Sequence, residues 1–170
     1  MQVGRRRRSV GSQHALGRPP GVAGHSPAAV DAVLVGLVDR VTRRLRAAGR
    51  VGRTVVLRLR FDDFSRATRS HTLPRATDRT DAVLETARAL LAGAGPLIRA
   101  RGLTLVGVAV ANLDDDDTVQ LVLPFDRRHG TGGALDTALD DVRARFGATA
   151  VTRAVLLGCD AHLDVPLLPD

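Results

Sequence analysis

The chain has 170 residues, 44% of them hydrophobic, which suffices for one domain with appendages and excludes a wholly disordered chain. All its basic residues are arginine, and a formal net charge of +7 favours a polyanionic partner such as DNA or RNA. The single cysteine, Cys159, excludes a disulfide framework and a cysteine-cluster zinc site, and the 2% aromatic content excludes a module that reads single strands by stacking bases.

Hydrophobic periodicity predicts six elements, because alternating apolar positions indicate strands and a spacing of three or four residues indicates helices. In chain order they are a strand at Arg8–Leu16, a helix at Ala28–Ala48, strands at Thr54–Phe61 and Arg66–Leu73, a helix ending at Gly93, and a strand at Leu103–Leu113. This order (βαββαβ) is typical of an α+β fold in which two helices cover one face of a four-stranded sheet. We expect a basic linker remnant at 1–8 and the domain at 9–113.

Residues 114–170 are expected to form a C-terminal appendage. It begins with four aspartates, Asp114–Asp117, which we interpret as a solvated turn, since four consecutive carboxylates cannot all face one metal ion. An amphipathic helix is predicted where Leu135, Leu139, Val142 and Phe146 share one face, and a final strand-like segment at Val151–Leu157.

The strongest functional pattern is a basic face on the two central predicted strands. Arg58 and Arg60 are two residues apart and project from the same side of the sheet. On the next strand one side carries Arg66, Thr68, Ser70 and Thr72, and the other carries Arg69 and His71. Guanidinium groups and hydroxyls at alternating positions suit contacts to phosphate oxygens. The alternative is an ordinary solvated sheet face in an arginine-rich protein, where codon bias would account for the arginine.

Several segments resemble a known family in order and spacing. They are RSVGSQHAL at 8–16, GRTVVLRLRFDDFSRATRSHTL at 52–73, TDRTDAV at 77–83 and RGLTLVGVAVANL at 101–113. Together they resemble the C-terminal little finger of Y-family translesion DNA polymerases of the DNA polymerase IV (DinB) type. The segment 135–157 is similar to the tail of actinobacterial members. The resemblance covers nearly the whole chain.

The resemblance implies that the sheet lies in the major groove and grips the template and primer backbones. It implies DNA contacts from Arg8, Ser9, Val10, Gly11, Arg58, Arg60, Arg66, Thr68, Arg69, Ser70, His71 and Thr72. The family's palm, fingers and thumb are absent from this chain, and its Mg²⁺ belongs to the palm. We therefore expect no catalytic residue, no metal, no cofactor and no polymerase activity from this chain alone.

A second motif follows the last predicted strand. Its glutamine, aliphatic residues and terminal aromatic are similar to the peptide by which bacterial polymerases dock on the sliding clamp, and it consists of Gln120, Leu121, Val122, Leu123, Pro124 and Phe125. Gln120 would hydrogen-bond at the rim of the pocket, and the apolar side chains would fill it. The alternative interpretation is an ordinary edge strand.

The expected function is sequence-independent binding of double-stranded primer–template DNA and tethering to the sliding clamp, in translesion synthesis and DNA repair. Two rival hypotheses are a stand-alone regulator that competes for the clamp, and a metabolite-binding regulatory domain of similar topology. No apolar run approaches the roughly 18 residues that a membrane span needs. We expect a cytoplasmic monomer that joins the nucleoid when it binds DNA.

Overall fold

The computed structural model describes residues 8–17, 24–115 and 131–157. Its strands are β1 (Ser9–Ala15), β2 (Arg50–Arg60), β3 (Arg66–Thr77) and β4 (Leu105–Asp115). Its helices are α1 (Pro27–Ala47), α2 (Thr80–Gly93), α3 (Gly95–Arg101) and α4 (Thr131–Phe146). The short helix α3 was not predicted, and it lies between the end of α2 and the start of β4.

The four strands form one sheet in the order β1-β4-β2-β3, and all three neighbouring pairs are antiparallel. Helices α1 and α2 pack on one side of it and on each other. The predicted α+β class with βαββαβ order is therefore confirmed. We call the side of the sheet that faces away from α1 and α2 the open face.

The core lies between the sheet and α1, with α2 beside it. Alternate residues of β2 and β4 point into it because successive side chains of a strand lie on opposite faces. The core consists mainly of Leu34, Leu37, Val38, Val41 and Leu45 from α1, Val55, Leu57 and Leu59 from β2, Val83 and Ala87 from α2, and Val106, Val108 and Val110 from β4. The residues that lie between these core positions along β2 and β4 project from the open face.

Strand β3 continues past the predicted end at Leu73. Gly52 pairs with Thr77 and Thr54 pairs with Thr72, so four residues of β3 lie opposite one residue of β2. The guanidinium of Arg53 donates to the carbonyl oxygens of Leu73 and Pro74 within this irregularity, at 3.3 and 3.4 Å. The irregular segment follows the regularly paired part of β3, whose register with β2 is unbroken from Thr72 to Arg66.

The appendage differs from its prediction in three ways. Asp114 and Asp115, which were expected in a turn, are the last residues of β4 and pair with Val51 and Arg50. Helix α4 forms, but Leu135 and Phe146 are 57% and 67% exposed, whereas Asp136 and Arg143 are buried. The helix thus buries charged residues most deeply, and on its predicted apolar side only Leu139 and Val142 are half-buried. The predicted strand at Val151–Leu157 is wrong: residues Ala154–Leu156 form one 3₁₀ turn that contacts α1. The division into 9–113 and 114–170 stays a prediction.

Candidate nucleic-acid interface

Strands β2 and β3 place two rows of polar side chains side by side on the open face. Directly paired residues of antiparallel strands project from the same side of the sheet. The pairing joins Arg58 to Thr68 and Arg60 to Arg66. In the same register Thr54 pairs with Thr72, and Val56 with Ser70. Six of the predicted contact residues therefore share one surface: Arg58, Arg60, Arg66, Thr68, Ser70 and Thr72.

The adjoining strands β4 and β1 carry mostly small residues on the open face, beside Gln13 and Leu105. On β4 the small residues are Gly107, Ala109 and Ala111, and β1 adds Ser9 and Gly11 opposite the two alanines. A Cβ atom at Gly11 would lie 3.0 Å from the Cβ of Ala109, which is closer than normal packing. Small side chains let the backbone of a bound ligand approach the sheet closely.

Four predicted contact residues lie elsewhere. Val10 packs against the core on the helix side of the sheet. Arg69 and His71 pair with Leu57 and Val55, so they also face the helix side, although both are exposed because β3 is an edge strand. Arg8 is exposed and directly precedes β1. The structure thus separates these four from the residues of the open face.

Two groups of arginines stand out among the described residues, and others, including Arg44 on α1 and Arg69 on the helix side of β3, are exposed and form no ion pair there. The first group forms ion pairs on the helix side, among them Arg46 with Asp140 at 2.6 Å, Arg88 with Asp31 at 2.7 Å and Arg143 with Asp39 at 3.0 Å. The aspartates of the helices therefore neutralise much of the charge there. Helix-side arginine is structural in these pairs, which the sequence alone did not indicate.

The second group is the open-face set of Arg58, Arg60 and Arg66. Within residues 8–17, 24–115 and 131–157 none of these three forms an ion pair. Arg60 has one neutral partner, since its Nε donates to the Thr104 hydroxyl at 3.4 Å. Strands β1, β2 and β3 contain no carboxylate at all. The open face therefore keeps a positive charge that an anion can neutralise.

Sequence reasoning did not assign a role to two polar residues of this surface. The amide Nδ2 of Asn112 donates to the hydroxyl of Thr54 at 2.9 Å, and that hydroxyl lies 3.0 Å from the hydroxyl of Thr72. The alternation of β2 placed Thr54 on the same side as Arg58, so its position could be inferred. Asn112 gave no signal, because it lies in an apolar run and reaches Thr54 through an irregular backbone with a φ of 54°.

The clamp-like segment Gln120–Phe125 lies outside the described residues, as do Asp116 and Asp117. Among the residues that are described, no three His, Cys, Asp or Glu side chains are grouped so that they could hold a metal ion. In the same ranges no helix combines the length and apolar character that crossing a membrane requires.

Comparison with known proteins assigns the family. Residues 7–123 match the model of the impB/mucB/samB family C-terminal domain. The chain belongs to this family. The predicted resemblance to the little finger of DNA polymerase IV is thereby confirmed, and the matched range contains β1, β4 and the whole sheet between them.

Relatives of known name agree with the family assignment. DNA polymerase IV 2 of Mesorhizobium japonicum is 38% identical over 162 residues, which cover 89% of this chain and 38% of that protein. DNA polymerase IV of Streptomyces coelicolor is 47% identical over 79 residues, or 46% of this chain and 16% of that protein. The chain thus spans well under half the length of both relatives. A solved complex of the beta-clamp processivity factor with the little finger domain of PolIV is 27% identical, covering 68% of this chain and 97% of that one at a TM-score of 0.47.

Proposed function

We propose that the chain binds double-stranded primer–template DNA through its open face, without reading base sequence. The observation that carries this proposal is the division of the arginines. Several on the helix side, among them Arg46, Arg88 and Arg143, are engaged by aspartates, whereas Arg58, Arg60 and Arg66 form no ion pair within the described residues. An anionic ligand would meet three unneutralised guanidinium groups together on the open face, and a duplex backbone is such a ligand.

The groups on this face suit phosphate more than base edges. Guanidinium groups and hydroxyls donate to phosphate oxygens, which are alike at every sequence. The exposed small residues Ser9 and Gly11 leave room for a backbone to approach the sheet at β1. The module would bind and hold the duplex, while other domains of a translesion polymerase would transfer nucleotides. We further propose that it acts as a monomer in the cytoplasm, associated with the nucleoid when bound.

We also propose that Gln120–Phe125 tethers the chain to the sliding clamp. Support comes from the residue pattern alone, a glutamine followed by aliphatic residues and a terminal aromatic. Under this proposal the protein is a two-ended adaptor that holds DNA at the sheet and the clamp at this segment. By itself the chain would extend no primer, and nucleotide incorporation by the purified chain would contradict that statement.

A titration of duplex DNA affinity against salt tests the DNA proposal. Binding through several phosphate contacts releases counterions, so the logarithm of the affinity should fall linearly with the logarithm of the salt concentration, with a slope of about −0.9 per contact. Duplexes of unrelated sequence should bind equally well. A metabolite-binding domain would show little salt dependence and would gain thermal stability from its small ligand. Flat affinity across salt would overturn the DNA proposal.

A further inference from the structure

Three polar side chains from three strands form a hydrogen-bonded chain across the open face. Asn112 of β4 donates from Nδ2 to Oγ1 of Thr54 on β2 at 2.9 Å. The Thr54 oxygen lies 3.0 Å from the Oγ1 of Thr72 on β3. All three residues lie toward the end of the sheet at which β4 continues to Asp115. We call this chain the Asn112–Thr54–Thr72 relay.

The backbone at Asn112 brings its side chain into the relay. Strict alternation would place residue 112 on the side opposite Ala111, which is the helix side. Its φ of 54° interrupts the alternation, and Leu113, the next residue, packs against the core. Asparagine tolerates this left-handed conformation better than most residues with a Cβ. The irregularity therefore allows β4 to supply a donor to the open face while Leu113 remains packed on the core.

Either hydroxyl of the Thr54–Thr72 pair can donate, and one of the two arrangements runs from Asn112 to Thr72. The amide of Asn112 can only donate at Nδ2, and it occupies one acceptor site on the Thr54 oxygen. The hydrogen of the Thr54 hydroxyl is then available for the Thr72 oxygen. In this arrangement Thr72, which is exposed, keeps its own hydroxyl hydrogen for an acceptor outside the protein. Successive hydrogen bonds of this kind polarise one another and strengthen the last donor.

We propose that Asn112 and Thr54 are positioning residues that orient the Thr72 hydroxyl toward a phosphate oxygen of bound duplex DNA. The inference rests on the proposed function and adds to it one phosphate subsite at this end of the open face. Between Leu105 and Leu113 the open-face positions of β4 are otherwise glycine and alanine, so Asn112 is the polar side chain that this stretch adds to the face. Asn112 would contribute to DNA affinity by directing a hydrogen bond, and this contribution does not depend on charge.

A double-mutant cycle tests the relay in the full chain with a duplex oligonucleotide as probe. Thr72→Val removes the last donor with little change of shape and should weaken binding about fivefold, as expected for one hydrogen bond. Asn112→Gly keeps the left-handed backbone but removes the amide, and should weaken binding about two- to threefold, because only the orientation of Thr72 is affected. In the Thr72→Val background, Asn112→Gly should have no further effect, because its effect passes through Thr72.

Further variants separate this role from a structural one. In the Thr72→Val background, Thr54→Val should cause no further loss of DNA affinity, as expected for Asn112→Gly. Thr54→Ser retains a hydroxyl and should bind DNA like the wild-type chain. The salt slope should be unchanged in all of them, since no charge is removed. Thr86→Val on α2 is the matched control, since it removes a hydroxyl bonded only to Ala82 within the helix in the described structure, and it should bind DNA normally.

The results distinguish failure of the relay from failure of DNA binding. If the wild-type chain binds the duplex with a steep salt dependence but Asn112→Gly and Thr72→Val are additive, or Asn112→Gly binds as wild type, the relay is overturned. If the wild-type chain does not bind duplex DNA, both the proposed function and the relay are overturned. Thermal unfolding of each variant identifies any loss of binding that comes from a loss of fold, and Thr54→Val then provides the second, independent measurement.

Discussion

The Nε of Arg46 on α1 lies 2.6 Å from Oδ2 of Asp140 on α4, and the two residues are 94 positions apart in the chain. The same guanidinium donates to the Asp78 carbonyl and the Thr80 hydroxyl, and it lies 3.4 Å from Asp136. Burial disfavours the charged form of Arg46, but the Asp140 hydrogen bond and the nearby carboxylates outweigh it and raise its pKa above the ordinary value. Arg46 therefore attaches the appendage to the domain.

Removing Arg46 should destabilise the protein strongly. In Arg46→Ala the carboxylates of Asp136 and Asp140 stay in a largely buried place without their main cation, and such a loss costs on the order of 3 kcal/mol. The free energy of unfolding from urea titrations measures this effect. Arg88→Ala is the matched control, because its pair with Asp31 is half-exposed and should change stability by about 1 kcal/mol or less. Equal losses in the two variants would contradict the assigned role of Arg46.

Open-face arginines should control DNA affinity. Arg58→Ala or Arg66→Ala should weaken binding to all duplex sequences about equally and reduce the magnitude of the salt slope by about 0.9 for each phosphate that the variant no longer neutralises. Binding of labelled duplexes over a range of salt concentrations measures both quantities. Arg88→Ala removes the same charge from the helix side and should leave the slope unchanged. If all three variants lower affinity alike, general charge and not the open face governs binding.

Clamp binding should depend on the segment 120–125. Replacing Gln120, Leu123 and Phe125 together by alanine should abolish binding to a bacterial sliding clamp, because it removes the rim hydrogen bond and the apolar anchors. DNA affinity should stay at the wild-type value. Surface plasmon resonance with immobilised clamp measures the first effect. Leu135→Ala, which truncates an exposed leucine of α4, serves as the control and should bind the clamp normally. Joint loss of clamp and DNA binding would favour misfolding or the clamp-regulator hypothesis.

Acidification should destabilise the fold through His14. Burial, and secondarily the charge of Arg40, lower the pKa of this imidazole below its ordinary value. The unfolded chain therefore takes up the proton at a higher pH than the folded one, and the free energy of unfolding should fall as the pH drops below about 6.5. His14→Gln should flatten this dependence between about pH 7 and pH 5. At about pH 8, where both states are neutral, the comparison of the two proteins reports packing alone. An unchanged slope in His14→Gln would exclude this residue as the cause.

The sequence alone was sufficient to predict the four strands, the two main helices and the side of the sheet on which Arg58 and Arg60 lie. These features follow from local spacing, because the alternation of a strand and the 3.6-residue period of a helix are written in adjacent residues. The same spacing misled at Val151–Leu157, where Ala154–Leu156 form a 3₁₀ turn and no strand of the described residues lies beside it. Arg153 there pairs with Asp39 at 3.4 Å, and the segment packs on α1.

Tertiary structure alone decided which arginines are neutralised and which remain available. Arg46, Arg88 and Arg143 meet aspartates far away in the chain, and no local pattern identifies such partners. It also decided that α4 packs through Asp136 and Arg143 and leaves Leu135 exposed, since a buried ion-pair network can hold a helix where periodicity predicts an apolar contact. The arginine content was therefore visible in the sequence, but only the structure shows that helix-side aspartates pair with Arg46, Arg88 and Arg143, whereas Arg58, Arg60 and Arg66 form no ion pair within the described residues.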